Sequence, residues 1–373
     1  MDFNLPTELE EKRKIVRAFA LKEFTDDRKR YFDENEKFPF EIRKKALEQG
    51  ILQYGNYWDL LITIEELFRV DPGLGFSIFA SFFGNENIML LGTDEQKKKY
   101  FEPVLKGEKI MGFAVTEPVA GSDVAGIASK LEKQPDGSWI LNGSKMFITN
   151  GTIADHLVVV ARSGPVPSDQ KRHHNMSMVI VETKWPGVST NKLYGKMGMR
   201  ASDTAEVIFD NVRVPKENLL GEEGKGFYYA MTFFNISRIY VAAMAIGIAQ
   251  GALDIIVEKA KKDRAFSSME GTQFTIAEIA TRIEAARLIT YKAASYLFQF
   301  NPDPVLTSMA KYYAAETGTY ATEKALLATG MDGAVISLER MFRDAKINEI
   351  WEGSSEIEEL TIYRMLMKKL ESE

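Results

Sequence analysis

The sequence predicts a multidomain α+β chain in which a helical segment, a β segment and a second helical segment follow one another. Apolar residues recur at helical spacing in residues 1–110, short β-type runs divided by turn dipeptides fill residues 111–225, and helical spacing returns in residues 226–373. These stretches predict an N-terminal α-helical domain, a middle β domain built as a small barrel or sandwich, and a C-terminal four-helix bundle. A chain of 373 residues is long enough for such a division.

The N-terminal segment is predicted from its apolar stretches and from the residues that start and stop helices. Leu60–Val70 predicts a helix that ends at Asp71-Pro72-Gly73, because proline and glycine interrupt helices. Gly75–Leu91 is almost wholly apolar, which predicts a helix that is buried on all sides. Thr93 and Gln96 have the spacing of a capping box, so a helix is predicted to start there.

The middle segment has the β-type residues and turn dipeptides of short strands. Ser138–Leu141 lies between Pro135-Asp136-Gly137 and Asn142-Gly143, a pattern that predicts a hairpin. Further strands are predicted at His156–Ala161, Met176–Val181 and Ala205–Phe209. In the last segment the predicted long helices are Phe233–Lys262, Phe274–Phe298, Pro302–Leu327 and a final helix after Glu352.

The composition excludes several functional classes. The chain has 47 basic and 53 acidic residues, a net charge of −6, which argues against a nucleic-acid surface. It has no cysteine, which excludes disulfides and thiolate catalysis, and with three histidines a metal site is not expected. The first residues are acidic and helix-forming, unlike a signal peptide, and no apolar run is judged long enough to span a bilayer. We therefore expect a cytoplasmic protein without membrane insertion.

The stretch Arg343–Arg364 contains the first candidate for chemistry, Glu352. This residue lies between the bulky pair Ile350-Trp351 and the turn Gly353-Ser354-Ser355, and the spacing of Ser355 and Glu358 is that of a capping box. A carboxylate in front of a helix, between an aromatic residue and a glycine, could be a general base over an apolar pocket. A solvated turn glutamate is the commoner reading of these residues, and the sequence leaves both open.

Two further stretches contain candidates for ligand binding. Thr116, Gly121 and Ser122 lie on a loop of small residues, where hydroxyl and backbone N–H groups can approach a planar polar ligand. Phe147 precedes Thr149 by two residues on a predicted strand, which would place both on one face as a stacking platform with a hydrogen bond beside it. When each stretch is taken alone, an ordinary turn and an ordinary strand are the commoner explanations.

Taken together, these motifs are similar to those of one enzyme family. The runs VTEPVAGSD, FITNG and RDAKINEIWEGSSEIE occur in this order on the predicted α–β–α chain. The sequence thereby resembles the acyl-CoA dehydrogenases along nearly its whole length. The resemblance implies an FAD-dependent enzyme of fatty acid β-oxidation that converts an acyl-CoA thioester to the 2-enoyl-CoA. It also implies electron-transfer flavoprotein as the acceptor and a homo-oligomer, either a homotetramer or a dimer.

The resemblance also implies roles for particular positions. Glu352 stands at the position of the catalytic base, and the hydride passes to flavin N5. Ser237 stands where some members carry the base instead, and a serine cannot fill that role. The positions that would contact FAD are Phe113, Val115, Thr116, Gly121, Ser122, Phe147, Thr149, Arg264, Ser354 and Glu356. The positions that would contact the substrate are Ser122, Asn235, Arg238, Trp351 and Gly353.

Three departures from the family pattern leave alternatives open. Arg264–Glu270 is shorter than the usual loop, Leu327–Ala334 replaces a glycine-rich segment, and the usual turn between the early helices is missing near Gly55-Asn56-Tyr57. Trp351 also stands where a tyrosine is usual. The first two departures leave open a changed dimer or weaker binding of the flavin. An acyl-CoA oxidase of the same fold, and a catalytically inactive binding or assembly scaffold, are the alternatives that follow.

The acyl group is predicted only in outline. In the family, a helix like Gly75–Leu91 forms the floor of the acyl pocket. Bulky rings on this stretch favour a short, branched or cyclic acyl group, although core packing explains them equally well. These rings belong to Phe76, Phe79, Phe82 and Phe83.

Overall fold

The structure, a computed structural model, describes residues 5–52, 56–166, 168, 171–299, 301–335 and 337–372. The chain forms two compact units. The helical unit comprises Met1–Ile78, Lys196–Ala201 and Asn235–Glu373, and the sheet unit comprises Phe79–Gly195 and Ser202–Phe234. The predicted α+β class is confirmed, because helices precede and follow a β segment along the chain.

The elements are named here in chain order. The helices are α1 (Thr7–Glu23), α2 (Asp26–Glu34), α3 (Phe40–Glu48), α4 (Tyr57–Val70), α5 (Pro72–Phe79), α6 (Asn85–Leu91), α7 (Asp94–Gln96), α8 (Glu102–Leu105), α9 (Gly226–Lys262), α10 (Arg264–Ser268), α11 (Glu270–Leu297), α12 (Pro304–Thr329), α13 (Met331–Val335), α14 (Ser337–Ala345) and α15 (Ser355–Ser372). The strands are β1 (Met111–Ala114), β2 (Lys130–Lys133), β3 (Trp139–Thr149), β4 (His156–Arg162), β5 (Met176–Glu182), β6 (Val188–Lys192), β7 (Thr204–Val214) and β8 (Leu219–Leu220).

Helix α9 is the central element of the helical unit. From Ile239 to Ala249 its side chains are buried, and small residues along this stretch let other helices approach. A Cβ at Gly247 or Gly251 would overlap a backbone carbonyl oxygen of α4, that of Glu65 or Arg69. These glycines therefore permit close packing of α9 on α4, and each large apolar side chain buried there contributes about 1.5–3 kcal/mol.

The apolar stretch Gly75–Leu91 is not the single buried helix that the sequence predicts. It is divided into α5, a 3₁₀ turn at Ala80–Phe82 and α6. The break lies at Gly84, whose φ of +97° is a left-handed conformation that favours glycine. A Cβ there would lie 2.9 Å from the Cβ of Phe113, so close packing also requires the glycine.

Among the residues that the structure describes, two helical stretches are long and apolar enough to meet a membrane-span criterion, Pro72–Leu91 and Gly226–Lys262. The expectation that no apolar run has this length is therefore wrong. In the most apolar windows of the two stretches, 78% and 83% of the residues are buried inside the protein. Their apolar character is thus that of core helices, which must be covered on most sides.

The sheet unit is built on one sheet, which within the described residues has eight strands in the order β6-β7-β3-β2-β4-β5-β8, with β1 beside β4. The pairs β1–β4 and β2–β4 are parallel, and the remaining pairs are antiparallel. Alternating residues of β3, β4, β5 and β7 form a core around the buried Trp139 and Phe209. Strands β1, β2, β6 and β8 are additional to those predicted, and they are short.

The predicted hairpin is present, but one of its two turn signals has another role. β2 and β3 pair antiparallel around the turn at Pro135-Asp136-Gly137. Asn142-Gly143 instead lies inside β3, where the register to β7 shifts between Leu141 and Gly143. Gly143 has φ +142°, and a Cβ there would overlap Ser129 Oγ, so the glycine permits a close neighbour. The extra residue of the register shift lies on β7, where Asp210 and Asn211 stand opposite Asn142.

The capping box predicted at Thr93 and Gln96 is confirmed. Thr93 Oγ1 accepts a hydrogen bond from the backbone N–H of Gln96 at 3.2 Å, and Gln96 Oε1 accepts one from the backbone N–H of Thr93 at 3.0 Å. The Gln96 amide also donates to the carbonyl oxygens of Glu217 and Leu219 at 2.8 and 2.9 Å. One side chain therefore starts α7 and fixes the segment that leads into β8.

Candidate active site

Glu352 lies in a tight turn between a short 3₁₀ turn, Lys346–Glu349, and the start of α15. Its φ of +54° is a left-handed conformation that costs a residue with a side chain roughly 1–3 kcal/mol. Gly353 follows with φ +105°, and a Cβ there would overlap Glu358 Oε1. The turn therefore requires glycine after Glu352 and holds the glutamate in strained backbone, a feature that clusters at functional sites.

The capping box predicted from Ser355 and Glu358 is wrong. Ser355 is already the first residue of α15, and its Oγ has no hydrogen-bond partner among the described residues. The Glu358 carboxylate is fully buried and lies 3.0 Å from Arg238 Nε. The side chain of Glu358 therefore pairs with Arg238, which is distant in sequence, instead of capping α15.

Two consecutive residues of α9 hold Glu352. Ser237 Oγ donates a hydrogen bond to Glu352 Oε2 at 2.5 Å, and Arg238 Nε donates one to the Glu352 carbonyl oxygen at 3.1 Å. Arg238 Nη1 lies 3.5 Å from Asn235 Oδ1. The structure thus brings the predicted residues Asn235, Arg238 and Gly353 to one turn, together with a hydroxyl donor to the carboxylate.

The environment of Glu352 perturbs its protonation. Burial raises the pKa of Glu352 to about 7, whereas the Ser237 hydrogen bond and the charges of Arg238 and Lys311 act to lower it. A carboxyl group with a pKa near 7 is about half ionised at neutral pH, so it can accept a proton and release it again. Glu352 is therefore not the freely solvated turn carboxylate that the sequence also allows.

Sequence reasoning missed two buried charged residues beside this turn. Lys311, on α12, is fully buried and donates a hydrogen bond to the Gly353 carbonyl oxygen. Burial lowers the pKa of Lys311 to about 8, and the charge of Glu358 opposes that change. Burial also raises the pKa of Glu358, against the attraction of Arg238. A lysine between Met309-Ala310 and the small residues Ala314-Ala315 of α12 was the signal that could have found this cluster.

Trp351, the residue before Glu352, belongs to an aromatic cluster. The rings of Trp351 and Phe76 have centroids 4.6 Å apart, and Phe76 also meets Phe68 edge-on at 6.4 Å. Phe76 is buried and Trp351 is half-buried. Trp351 therefore continues a cluster of aromatic rings that includes Phe76 and Phe68.

In the sheet unit, Phe147 presents its ring at the surface. It is 67% exposed and has φ +60°, and the β3–β7 register shifts between Lys145 and Ile148. This bulge interrupts the strict alternation that predicts one face for Phe147 and Thr149. An exposed aromatic ring held by strained backbone is suited to stack on a planar ligand.

The loop of small residues after β1 is open at its tip and anchored at its base. No atom lies within 4 Å of a Cβ placed at Gly121, and Ser122 is exposed. Thr116 is half-buried, and its carbonyl oxygen accepts a hydrogen bond from the backbone N–H of Met146 at 2.9 Å. Val115 is buried, and Phe113 is half-buried. Polar groups near the tip are thus accessible, while the loop is tied to β3.

A buried ion pair, also missed in the sequence, ties this loop down. Lys145 Nζ lies 2.7 Å from Glu117 Oε1 and 2.9 Å from the Val115 carbonyl oxygen. The Glu117 carboxylate accepts further hydrogen bonds from the backbone N–H groups of Ala128 and Ser129 at 2.6 and 3.0 Å. Burial acts to raise the pKa of Glu117, but Lys145 and the hydrogen bonds hold it below its ordinary value.

The remaining predicted cofactor-contacting residues lie in the helical unit. Arg264 is exposed at the first position of α10, and the described residues give it no hydrogen bond to the Glu352 turn. Ser354 is half-buried just before α15, and Glu356 is exposed in its first turn. The structure thus brings one predicted group together around Glu352 and another around the β1 loop and β3, and it leaves Arg264 apart from these contacts.

Comparison with known proteins identifies the family. Three family models, the N-terminal, middle and C-terminal domains of acyl-CoA dehydrogenase, match residues 6–108, 112–212 and 224–367. The chain belongs to the acyl-CoA dehydrogenase family. It is therefore an oxidoreductase, and the family binds FAD.

Relatives resemble the chain over nearly its full length. It is 38% identical to the short-chain-specific acyl-CoA dehydrogenase of Clostridium acetobutylicum, over 97% of this chain and 98% of that protein. It is 35% identical to the caffeyl-CoA reductase–Etf complex subunit CarC of Acetobacterium woodii, over 96% and 97%. The solved butyryl-CoA dehydrogenase of Megasphaera elsdenii has a TM-score of 0.92 and 33% identity, and the match covers 98% of this chain and 100% of that one.

Replacing Ser237 by alanine should shift the pH dependence of this enzyme. The Ser237 hydroxyl donates to the ionised form of Glu352, so its loss should raise the pKa of Glu352 and require a higher pH for the basic form. The rate of flavin reduction by butyryl-CoA at pH 7 should fall roughly sevenfold to eightyfold, since a hydrogen bond to a charged group contributes about 1.5–3 kcal/mol, or about one to two pKa units. Ser237→Thr, which keeps the hydroxyl, is the control, and superimposable profiles for Ser237→Ala and wild type would contradict this role.

Proposed function

We propose that the protein oxidises an acyl-CoA thioester to the 2-enoyl-CoA, with Glu352 as the base that removes the α-proton. The observation that carries the proposal is the carboxyl group of Glu352, held by Ser237 in a strained turn with a pKa of about 7. A general base works best when its pKa is near the working pH, because it is then both available and sufficiently basic. The apolar wall of Trp351 and Phe76 supports an acyl chain as the neighbouring group.

FAD is the cofactor of the family, and the residues present in this chain fit it. Support comes from the exposed ring of Phe147, the space beside Gly121 and the hydroxyls of Thr116, Ser122 and Thr149, which suit a flat polar ring system. When bound, FAD supplies an acceptor for the hydride that leaves the β-carbon. The residues proposed to hold it are Phe113, Val115, Thr116, Gly121, Ser122, Phe147, Thr149, Arg264, Ser354 and Glu356.

The chain's own groups would manage the proton and the developing negative charge. A thioester α-proton is too weakly acidic for a carboxylate to remove unless the enolate oxygen is stabilised, so the backbone N–H of Glu352 is proposed to donate to that oxygen. The C–H electron pair stays with the substrate and the proton ends on the Glu352 carboxyl group. Arg238 would stabilise the turn through the Glu352 carbonyl oxygen and, with Asn235, would contact the CoA portion.

The proposed acyl group is short, branched or cyclic. The rings of Phe76 and Trp351 occupy the space next to Glu352 in the helical unit, and the relatives include a protein named as short-chain-specific. Anaerobic flavin bleaching with a panel of acyl-CoAs tests this. We expect butyryl- or branched acyl-CoA to reduce the flavin at least tenfold faster than a twelve-carbon chain. A twelve-carbon chain as best substrate would overturn the short pocket, since each CH₂ that finds a site contributes about 0.8 kcal/mol.

Electron-transfer flavoprotein is the proposed acceptor, and a relative named as part of an Etf complex supports it. The oxidase alternative requires rapid reaction of the reduced enzyme with oxygen, which an oxygen electrode measures directly. The scaffold alternative requires a colourless protein that cannot be reconstituted with FAD, which an absorbance spectrum decides.

We also propose a homo-oligomer, a tetramer or dimer, because α15 exposes apolar side chains at Leu360, Tyr363, Met367 and Leu370.

A further inference from the structure

The strained turn at Glu352 is held through two consecutive backbone carbonyl groups. The Glu352 carbonyl oxygen accepts from Arg238 Nε at 3.1 Å, and the Gly353 carbonyl oxygen accepts from Lys311 Nζ. Lys311 is fully buried and Arg238 is 9% exposed. Left-handed backbone at a residue with a side chain persists only where the surroundings fix it. Arg238 and Lys311 fix the backbone in this way, because they bind the carbonyl groups of Glu352 and Gly353.

A buried lysine needs a physical explanation. Burial disfavours the ammonium form, and it lowers the pKa of Lys311 to about 8. A buried ion pair is often no more stabilising than an apolar pair of the same volume, so packing or stability alone does not explain Lys311. A methionine would fill similar space in α12 without a buried charge, but it could not donate to the Gly353 carbonyl oxygen.

Glu358 completes this cluster from α15. Its carboxylate is fully buried, lies 3.0 Å from Arg238 Nε and leaves no room for a Cβ at position 353. It interacts electrostatically with Lys311 and so compensates the charge of both cations in part. The carboxylate, the two cations and the glycine therefore specify one geometry for the turn.

We propose that Lys311 is a positioning residue for Glu352. By donating to the Gly353 carbonyl oxygen, Lys311 fixes the direction of the Glu352 carboxyl group and of its backbone N–H. The inference rests on the proposed function of Glu352. Loss of this hydrogen bond frees the turn to relax toward an ordinary backbone conformation. A displacement of about 1 Å at a reacting group can lower a rate on the order of a hundredfold.

The charges around Glu352 allow two effects of Lys311 to be separated: its hydrogen bond to the turn and its influence on the pKa of Glu352. Arg238 faces it from α9, Lys311 from α12 and Glu358 from α15, and Glu349 of the preceding turn acts on Lys311. Lys311 acts to lower the pKa of Glu352, and Glu358 acts to raise it. Removing both charges should therefore shift that pKa less than removing Lys311 alone, while the hydrogen bond to Gly353 is lost.

The experiment compares Lys311→Met with Lys311→Met/Glu358→Gln in the FAD-loaded enzyme. Flavin reduction by butyryl-CoA is followed anaerobically across the pH range, and the pKa of Glu352 is read independently from its carboxyl band in infrared difference spectra, assigned with Glu352→Gln. Lys261→Met, an exposed lysine of α9, is the matched surface control. Thermal melting and FAD content establish that each variant is folded. Glu358→Gln alone is measured as well, because Glu358 also pairs with Arg238 and the effect of losing that pair must be separated from the effect of losing Lys311.

We expect the single Lys311 variant to shift the infrared titration of Glu352 upward and to react more slowly. The double variant should titrate closer to wild type than the single Lys311 variant, retain FAD and reduce the flavin at least about tenfold more slowly than Glu358→Gln at every pH. A double variant as fast as Glu358→Gln would overturn the positioning role of Lys311. If Glu352→Gln reacted normally in the same assay, the proposed function itself would fail, and this outcome is distinct from the first.

Discussion

Glu352→Gln should abolish most flavin bleaching by acyl-CoA, with a loss of about a hundredfold to ten-thousandfold, the range for removal of a general base. Glutamine has nearly the same size and still offers an oxygen to the hydroxyl of Ser237, so the turn should keep its shape. It cannot accept the α-proton at neutral pH. Anaerobic stopped-flow measurement of flavin reduction by butyryl-CoA checks this loss.

The same prediction has a pH signature in the wild-type enzyme. The ionised carboxylate is the reactive form and its pKa is about 7, so the reduction rate should rise with pH through that value and level off above it. Glu359→Gln, at an exposed position of α15, is the matched control and should follow the wild-type curve. Normal bleaching by Glu352→Gln with unchanged FAD content would remove Glu352 from its proposed role.

The features that the sequence predicted well depend on neighbouring residues. The capping box of Thr93 and Gln96 forms because both partners lie within one helical turn. The turn before β3 forms because Gly137 supplies a φ of +85° without strain. Helical spacing likewise located the long helices, although their ends differ by several residues from those predicted.

The features that it missed depend on residues far apart along the chain. Glu358 has capping-box spacing, but Arg238 and the backbone at Gly353 determine where its carboxylate lies. Asn142-Gly143 has the signature of a tight turn, but its pairing with β7 keeps it inside β3, opposite a bulge in β7. Local sequence carries no information on such partners, and a buried lysine such as Lys311 can be read only as an exception to the apolar pattern.

At the candidate site the family motifs added information that local patterns lack, because they pointed to Glu352 without any knowledge of its surroundings. They did not indicate why the carboxyl group should be half ionised at neutral pH. That property comes from burial opposed by Ser237, Arg238 and Lys311, residues contributed by α9 and α12. The protonation of the base is therefore a property of the tertiary structure rather than of its motif.

Lys145→Met should destabilise the sheet unit by about 3–5 kcal/mol, because it leaves the buried Glu117 carboxylate without its counter-ion. It also removes the donor to the Val115 carbonyl oxygen, so the loop proposed to hold FAD should loosen and the FAD content should fall. Thermal melting and the flavin absorbance per chain measure the two effects.

The pH dependence of this deficit identifies its cause. Without Lys145, burial should raise the pKa of Glu117 above its value in the unfolded chain, so the folded variant takes up a proton more readily. A carboxyl group whose pKa is raised on folding stabilises the folded protein at low pH, and this contribution is lost as the pH rises. The loss of unfolding free energy in Lys145→Met, relative to wild type, should therefore be smaller at pH 5 than at pH 8. Glu117→Gln/Lys145→Met, which leaves no buried charge, should recover most of the loss. A single variant that melts like wild type and keeps its flavin would show that this ion pair does not hold the loop.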